Sequence, residues 1–392
     1  MGYRFNLNWM GIVLVPFFAG GIGLADENQC EIPDVGVLSV GQFKPKFSLT
    51  HYWQRAENGV DEKHPSRFAG LYDLDLYYLF DAEADDDKTG DYLLLGISAQ
   101  TSFGHGIERK VGTFYDLNDG AKGDNDLFID KLFIEFTSLD RLLTFNIGKL
   151  DMIDYFDHSA VANEYKTQFF AYPLVQNQVI PFPSKGLGIR GLFEPNRFWY
   201  VQAAIADAQA ERRETGFRTT FHDEDYYFSV LEAGIRPRFG DLEGNYRITG
   251  WYDPQDKEYL DGSGRHKRDD LGVGLSLDQQ VATKTTLFFR YGWADERVNE
   301  IEDFVSFGCE FKGLIEGRDR DIIAVGYANG LRSPDNLGPL DERELDLIEL
   351  YYRIQINDHL HISPNVQFVM DPGNRSNESP ATVFGLRCRY TF

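Results

Sequence analysis

Apolar and polar residues alternate with a period of two through most of this chain, in segments of about ten residues bounded by Gly, Asp, Asn and Pro. Successive strand side chains point to opposite faces, so each segment reads as a strand with one apolar and one polar face. The last segment is the clearest. Phe384, Leu386, Cys388, Tyr390 and Phe392 share one face, while Gly385, Arg387, Arg389 and Thr391 share the other. Upstream, Leu287, Phe289, Tyr291 and Trp293 alternate with Phe288, Arg290 and Gly292, and Val305, Phe307, Cys309 and Phe311 alternate with Ser306, Gly308, Glu310 and Lys312. The same reading places strands near 42–54, 67–80, 92–103, 127–137, 141–149, 187–194, 198–207, 226–239, 244–253, 270–281, 284–294, 303–313, 321–330, 344–354, 360–370 and 382–392, sixteen in all. Strands of about ten residues, tilted by about 45° and two-faced in this way, suit a wall between lipid and water. The predicted fold is all-β: a transmembrane antiparallel β-barrel of about 16 strands, in which the last strand pairs with the first.

Connection lengths follow the same scheme. With both termini on the periplasmic side, connections after odd strands face outward, and those after even strands are periplasmic turns. Ser138 to Asp140, Pro195 to Arg197, Ala282 to Thr283 and Gln355 to His359 are turn-sized, whereas 104–126, 150–186, 208–225 and 254–269 are long; the acidic connection Asp81 to Asp91 is the exception. The longest, Leu150 to Gly186, is the third extracellular loop and carries Phe156, Tyr165, Phe169, Phe170, Tyr172 and Phe182. So apolar a loop is poorly matched to free solvent, and it is predicted to fold into the lumen and narrow it.

The N-terminus adds a compartment. Arg4 precedes an apolar run from Trp9 to Leu24 that ends in Gly23-Leu24-Ala25 before Asp26, which predicts a cleaved signal peptide over residues 1–25. The run is too short for a retained membrane helix and contains Pro16. A short segment, 26–41, then leads into a barrel domain over 42–392, placed in the outer membrane of a Gram-negative-type bacterium. Mean hydropathy is −0.38, the value of a soluble protein, but lipid-facing and lumen-facing residues cancel in such an average. Aromatic residues make up 15% of the chain, as expected of a strand-rich wall. The net charge of −23 argues against nucleic acid as a partner, since phosphates need a basic surface. Cys30, Cys309 and Cys388 are too few and too scattered for a disulfide framework.

Candidate chemistry is sparse. Gly186-Leu-Gly-Ile-Arg-Gly191 matches a dinucleotide fingerprint, yet it follows a proline-rich loop and no helix is predicted behind it. His359 and His361 share a predicted strand face without a third ligand, and Asp85-Asp86-Asp87 reads as a solvated turn, so no metal site is expected. No Gly-x-Ser-x-Gly, Walker or His-Glu-x-x-His motif occurs, and neither an enzymatic activity nor a cofactor is expected. What remains is the lumen. Alternation nominates Lys131, Glu135, Arg190, Gln202, Glu232, Arg236, Arg247, Arg290, Glu310, Glu349 and Arg353 as inward-facing. Both signs of charge occur, whereas a dedicated anion pore would carry a ring of one sign. Neutral sugars need planar or bidentate hydrogen-bond partners and an aromatic face, which these residue types supply.

Several stretches resemble the carbohydrate-selective porins of the OprB type. They are Gly148-Lys149-Leu150-Asp151, the loop from Ala162 and Asn163 to Phe169 and Phe170, Gly186 to Ala208 with Tyr200-Val-Gln-Ala-Ala, Arg290-Tyr291-Gly292, Glu349-Leu-Tyr-Tyr-Arg-Ile-Gln355, and Ile362-Ser-Pro-Asn-Val-Gln-Phe-Val-Met-Asp-Pro-Gly373. The likeness covers roughly Gly148 to Phe392 and lies in the order and spacing of these strings. It implies a sixteen-stranded barrel with inward-folded loops, passive and selective for small glucose-like sugars, and no cofactor. The expected constriction comprises Lys149, Asp151, Asp154 and Arg190 near the third loop, with Glu349 and Arg353 from the wall. Expected partners are sugars, outer-membrane lipid and the barrel-assembly machinery through the C-terminal strand, with association into a homotrimer left open. Two alternatives stand beside this reading: a general or cation-favouring pore, motivated by the net charge, and an outer-membrane barrel enzyme.

Overall fold

The computed structural model describes residues 38, 40–58, 63–82, 90–221, 226–336, 343–370, 372 and 379–392. The expected signal peptide, Cys30 and the Asp85-Asp86-Asp87 turn lie outside the described residues. Sixteen long strands form the wall: β1 (Phe43–Glu57), β2 (Ser66–Ala82), β3 (Tyr92–Phe103), β4 (Phe128–Ser138), β5 (Leu143–Leu150), β6 (Gly186–Asn196), β7 (Trp199–Asp207), β8 (Tyr227–Ile235), β9 (Leu242–Asp253), β10 (Asp270–Ala282), β11 (Thr285–Ala294), β12 (Ile301–Lys312), β13 (Ile322–Arg332), β14 (Glu344–Gln355), β15 (Leu360–Val369) and β16 (Ala381–Thr391). Each pairs antiparallel with its neighbours in sequence, and β1 pairs with β16 in the register Ser48↔Thr391 to Glu57↔Thr382, which closes the barrel. Closure removes the open edges that lipid could not hydrogen-bond. At the seam the Phe392 amide donates to the Phe47 carbonyl at 2.8 Å, and the two rings lie 5.4 Å apart.

Burial is inverted relative to a soluble protein. On β16, Arg387 and Arg389 are buried while Phe384 and Leu386 are exposed; on β14, Glu349 and Arg353 are buried while Leu350 is exposed. The period-two pattern predicts this, because alternate side chains of each strand turn outward and inward, and here the polar set lines the interior. The observed strands match the predicted segments throughout, with two local differences. The segment predicted as 226–239 breaks after Ile235, where Pro237 has no N–H to donate, and resumes only as the two-residue piece Arg238–Phe239. Arg236 therefore lies past the end of β8 and pairs with Glu194 rather than standing on an inward strand face. His359 is likewise not on a strand face with His361: it sits exposed in the turn before β15, stacked on Tyr390, while His361 is buried. Gly186 to Gly191 lies within β6, with no helix behind it.

The register between β3 and β4 shifts at Ser98/Ala99, where Ser98 faces Lys131 and Ala99 faces Ile129. Asp130 is the extra residue of this bulge. A bulge re-aims a side chain, and here two consecutive residues, Asp130 and Lys131, are both buried.

Candidate functional site

The segment between β5 and β6 starts with a 3₁₀ turn, Met152–Asp154, capped by the Asp151 side chain, which accepts from the Ile153 amide at 3.2 Å. A single helical turn, Tyr172–Val175, precedes its last stretch, 176–185, which leads into β6. Its side chains and main chain are bonded to the polar faces of strands around the barrel. The Phe170 and Ala171 amides donate to Glu349 on β14 at 2.8 and 3.0 Å. Arg387 on β16 donates to the Tyr165 and Gln168 carbonyls at 2.6 and 2.9 Å and lies over the Phe170 ring. Arg290 on β11 donates to the Leu174 and Asp157 carbonyls, and its Nε lies 3.1 Å from the Asp157 carboxylate. Gln202 on β7 donates to the Tyr155 carbonyl, and the Asp157 amide donates to Glu232 on β8 at 3.1 Å.

Glycines on the polar face make room for this segment. A Cβ at Gly292 would meet the Asn177 side chain at 2.3 Å, and one at Gly326 would meet Leu174 at 2.8 Å. Burial dominates the titration of Asp157 and His158 in this segment. It raises the Asp157 carboxyl to about 6 against the pull of Arg290, and it lowers His158 to about 4, helped by Arg247.

A cavity of about 350 Å³ lies between this segment, the loop 104–127 and strands β2 to β4. Alternation on β2 puts Asp73 and Asp75 on one face, and the register sets them opposite Gln100 and Ser98 of β3. Gln100 and Ser48 donate to Asp73 at 2.6 and 3.2 Å, and Ser98 donates to Asp75. The bulge residue Asp130 accepts from Lys185, and from Arg212 at 3.1 Å; Lys185 also lies 3.1 Å from Asp151. Burial opposes the Lys185 charge, but Asp130 and Asp151 outweigh it and hold the ammonium above its usual range. Lys131 donates to Asp154 at 2.7 Å, and Lys166 lies 3.6 Å from Asp73. In all, eight carboxylates and five cations line the cavity, with the amides of Gln100, Asn163 and Gln176 and the rings of Tyr165, Tyr172 and Phe182.

Of the six residues expected at a constriction, Asp151 and Asp154 line this cavity and the other four lie elsewhere. Lys149 donates to the carbonyls of Ile129, Arg212 and Glu214, fastening the loop after β7. Arg190 bonds Asn146 and Gln202 and lies over the Tyr155 ring. Glu349 is fully occupied by the Phe170 and Ala171 amides and by Asn365 and Gln367. Arg353 stands on β14, with Nε and Nη1 unpartnered among the described residues. Alternation alone does not reach Asp130, which owes its orientation to the bulge, nor Lys166, Lys185 and Arg212, which lie on loops without periodicity. Asp73 and Asp75 were accessible to the alternation argument, as an i, i+2 acidic pair on the polar face of a strand. No cluster of metal-ligating side chains occurs among the described residues.

Comparison with known proteins agrees with this architecture. The family model described as "Carbohydrate-selective porin, OprB family" matches residues 88–392, reaching well upstream of Gly148. Porin B of Pseudomonas aeruginosa is 24% identical over 255 residues, covering 54% of this chain and 56% of the relative, so the match spans little more than half of that protein's length. Porin AaxA of Chlamydia abortus is 19% identical over 357 residues, covering 89% of this chain and 77% of the relative. The high-pH structure of Pseudomonas putida OprB superposes with a TM-score of 0.76 at 17% identity, covering 89% of this chain and 94% of that one.

Proposed function

This chain belongs to the carbohydrate-selective porin, OprB family, and from that premise we propose that it carries out passive, carbohydrate-selective diffusion of small neutral sugars across the outer membrane. The observation that carries the reading is the cavity lining. Carboxylates, ammonium groups, a guanidinium and amides stand around a space within the size range of small-molecule sites, beside three aromatic rings. Hydroxyls can donate to the carboxylates and accept from the cations, while ring faces take the C–H side of a pyranose. No single sign of charge dominates as it would in a dedicated anion pore.

In this reading the third extracellular loop crosses the lumen and sets its width. Asp151 and Asp154 face the solute, with Asp73, Asp130, Lys166, Lys185 and Arg212. Lys149, Arg190 and Glu349 act through the segments they hold, and Arg353 faces the inner end of the path. Residues 1–25 direct export and are removed, β16 is the segment presented to the barrel-assembly machinery, and the apolar outer face meets lipid. Swelling of liposomes containing the purified protein tests the reading, with neutral sugars of rising size set against amino acids and organic acids of equal mass. Faster entry of sugars is expected, and equal rates at equal mass overturn sugar selectivity while leaving the barrel intact.

The eight-to-five balance of acidic over basic groups at the cavity favours, as a second reading, a pore that also prefers cations. Reversal potentials in a salt gradient separate the two.

A further inference from the structure

The inner end of the lumen has a different character from the cavity. Arg353 on β14, His361 on β15, and Arg387 and Arg389 on β16 are all buried. The register brings them together: His361 faces Arg389, Ser363 faces Arg387, and Gln355, two residues beyond Arg353, faces His361. All three arginines are within electrostatic reach of His361. The position is close to the periplasmic rim, because β14 ends and β15 begins at the turn 356–359 and β16 ends at Thr391.

Three guanidinium N–H positions in this group have no hydrogen-bond partner among the described residues, Nε and Nη1 of Arg353 and Nε of Arg387; Nε2 of His361 is also unpartnered, a donor or an acceptor according to its tautomer. Buried guanidinium N–H groups are costly to leave unmatched, so their concentration in one place points to a ligand that accepts hydrogen bonds and carries negative charge. Protein carboxylates do not meet that need. Glu349 is committed to four other donors, and Glu310, within electrostatic reach of Arg353, makes no hydrogen bond to its Nε or Nη1.

Unpartnered hydroxyls adjoin the same donors. Tyr52 faces Arg387 and Thr50 faces Arg389 across the closing seam, and the hydroxyl oxygen of each lacks a partner among the described residues. Donors for an anion beside hydroxyls able to exchange bonds with a polyol describe both halves of one solute.

We propose that Arg353, His361 and Arg387, with Arg389 beside them, form an anion subsite at the periplasmic end of the lumen that takes the carboxylate or phosphate group of an acidic sugar. The inference rests on the reading of the barrel as a sugar pore and extends its substrate class from neutral sugars to their acids.

The test is ion current through the purified full-length barrel in a planar bilayer, titrated on each face with glucuronate, inorganic phosphate and glucose. Glucuronate is expected to block at the lowest concentration. Arg353→Gln is expected to raise its half-blocking concentration by about tenfold, the loss typical of one charge-assisted hydrogen bond. Glucuronate blocking no better than glucose overturns the subsite; phosphate blocking as well as glucuronate overturns its assignment to acidic sugars. Both comparisons are made on the unmodified protein and need no variant to fold. Glucose entry into liposomes, measured alongside, reports separately on the sugar-pore reading: its presence without glucuronate block sinks only this inference.

Discussion

Asp157 and Arg290 form an ion pair whose side chains are almost wholly removed from solvent, 1% and 0% exposed. Asp157 also receives the Asn177 amide at 2.9 Å, so one carboxylate ties two points of the same loop to β11. Removing one partner of such a pair leaves the other charged and buried, at a cost of about 3–5 kcal/mol. Asp157→Ala is therefore expected to loosen the loop between β5 and β6 while the strands persist. Noisier, larger single-channel conductance with an unchanged strand spectrum would show this; unaltered conductance would refute it. A quieter version exists at Gly292. Its added Cβ would meet Asn177 and Val179 at 2.3 Å, and since both belong to the loop, it is the loop that yields. Gly292→Ala should shift conductance without lowering the yield of folded barrel. Residue by residue, the polar face was legible in the sequence wherever strict alternation holds, as at Glu232, Arg290 and Glu349. It was not legible at Asp130, because one inserted residue between β3 and β4 overturns parity locally.

At the level of elements, the loop 104–127 contains a carboxyl held in an unusual state. Glu108 opens the short helix Glu108–Val111, and its Oε2 is buried without a partner among the described residues. Burial first, and then the charge of Asp116, raise this carboxyl to about 7. A folded-state value above the unfolded one means the protonated form suits the docked loop. The resulting stability is complete below the ordinary carboxyl range near pH 4.5 and is lost as pH rises through about 7. Hydrogen exchange across 104–127, corrected for intrinsic rate, should speed up between pH 5 and 8 by an amount equivalent to about 2–3 kcal/mol of local opening. Glu108→Gln should flatten that dependence, and persistence of the slope in the variant would assign it to another group. Strands and turns of this protein were readable one at a time because the two-residue period is a property of the backbone itself. Loop docking was readable only as a tendency: the aromatic content of 150–186 predicted that it would be covered, but not that Phe170 would stack under Arg387 or Leu174 over Gly326.

For the whole molecule, the relevant quantities are closure and charge. The chain carries a net charge of −23, and its cavity has eight carboxylates to five cations. Potassium should therefore carry more current than chloride in a potassium chloride gradient. The preference should fade toward molar salt, where the screening length shrinks to about 3 Å. A reversal potential of zero at low salt would mean that the buried arginines balance the cavity's acids along the path.

The linear pattern by itself determined that this is a closed barrel of sixteen strands, which strand faces turn outward, and that β16 must find β1. Those properties follow from side-chain parity and from the need to pair every backbone group, and both operate over a few residues or around a full circuit. The tertiary structure alone decided the rest: the inward turn of Asp130 at a bulge, the commitment of Lys149, Arg190 and Glu349 to holding segments in place, and the gathering of Arg353, His361 and Arg387 at one end. These depend on distances between residues up to a few hundred positions apart, which no local period encodes.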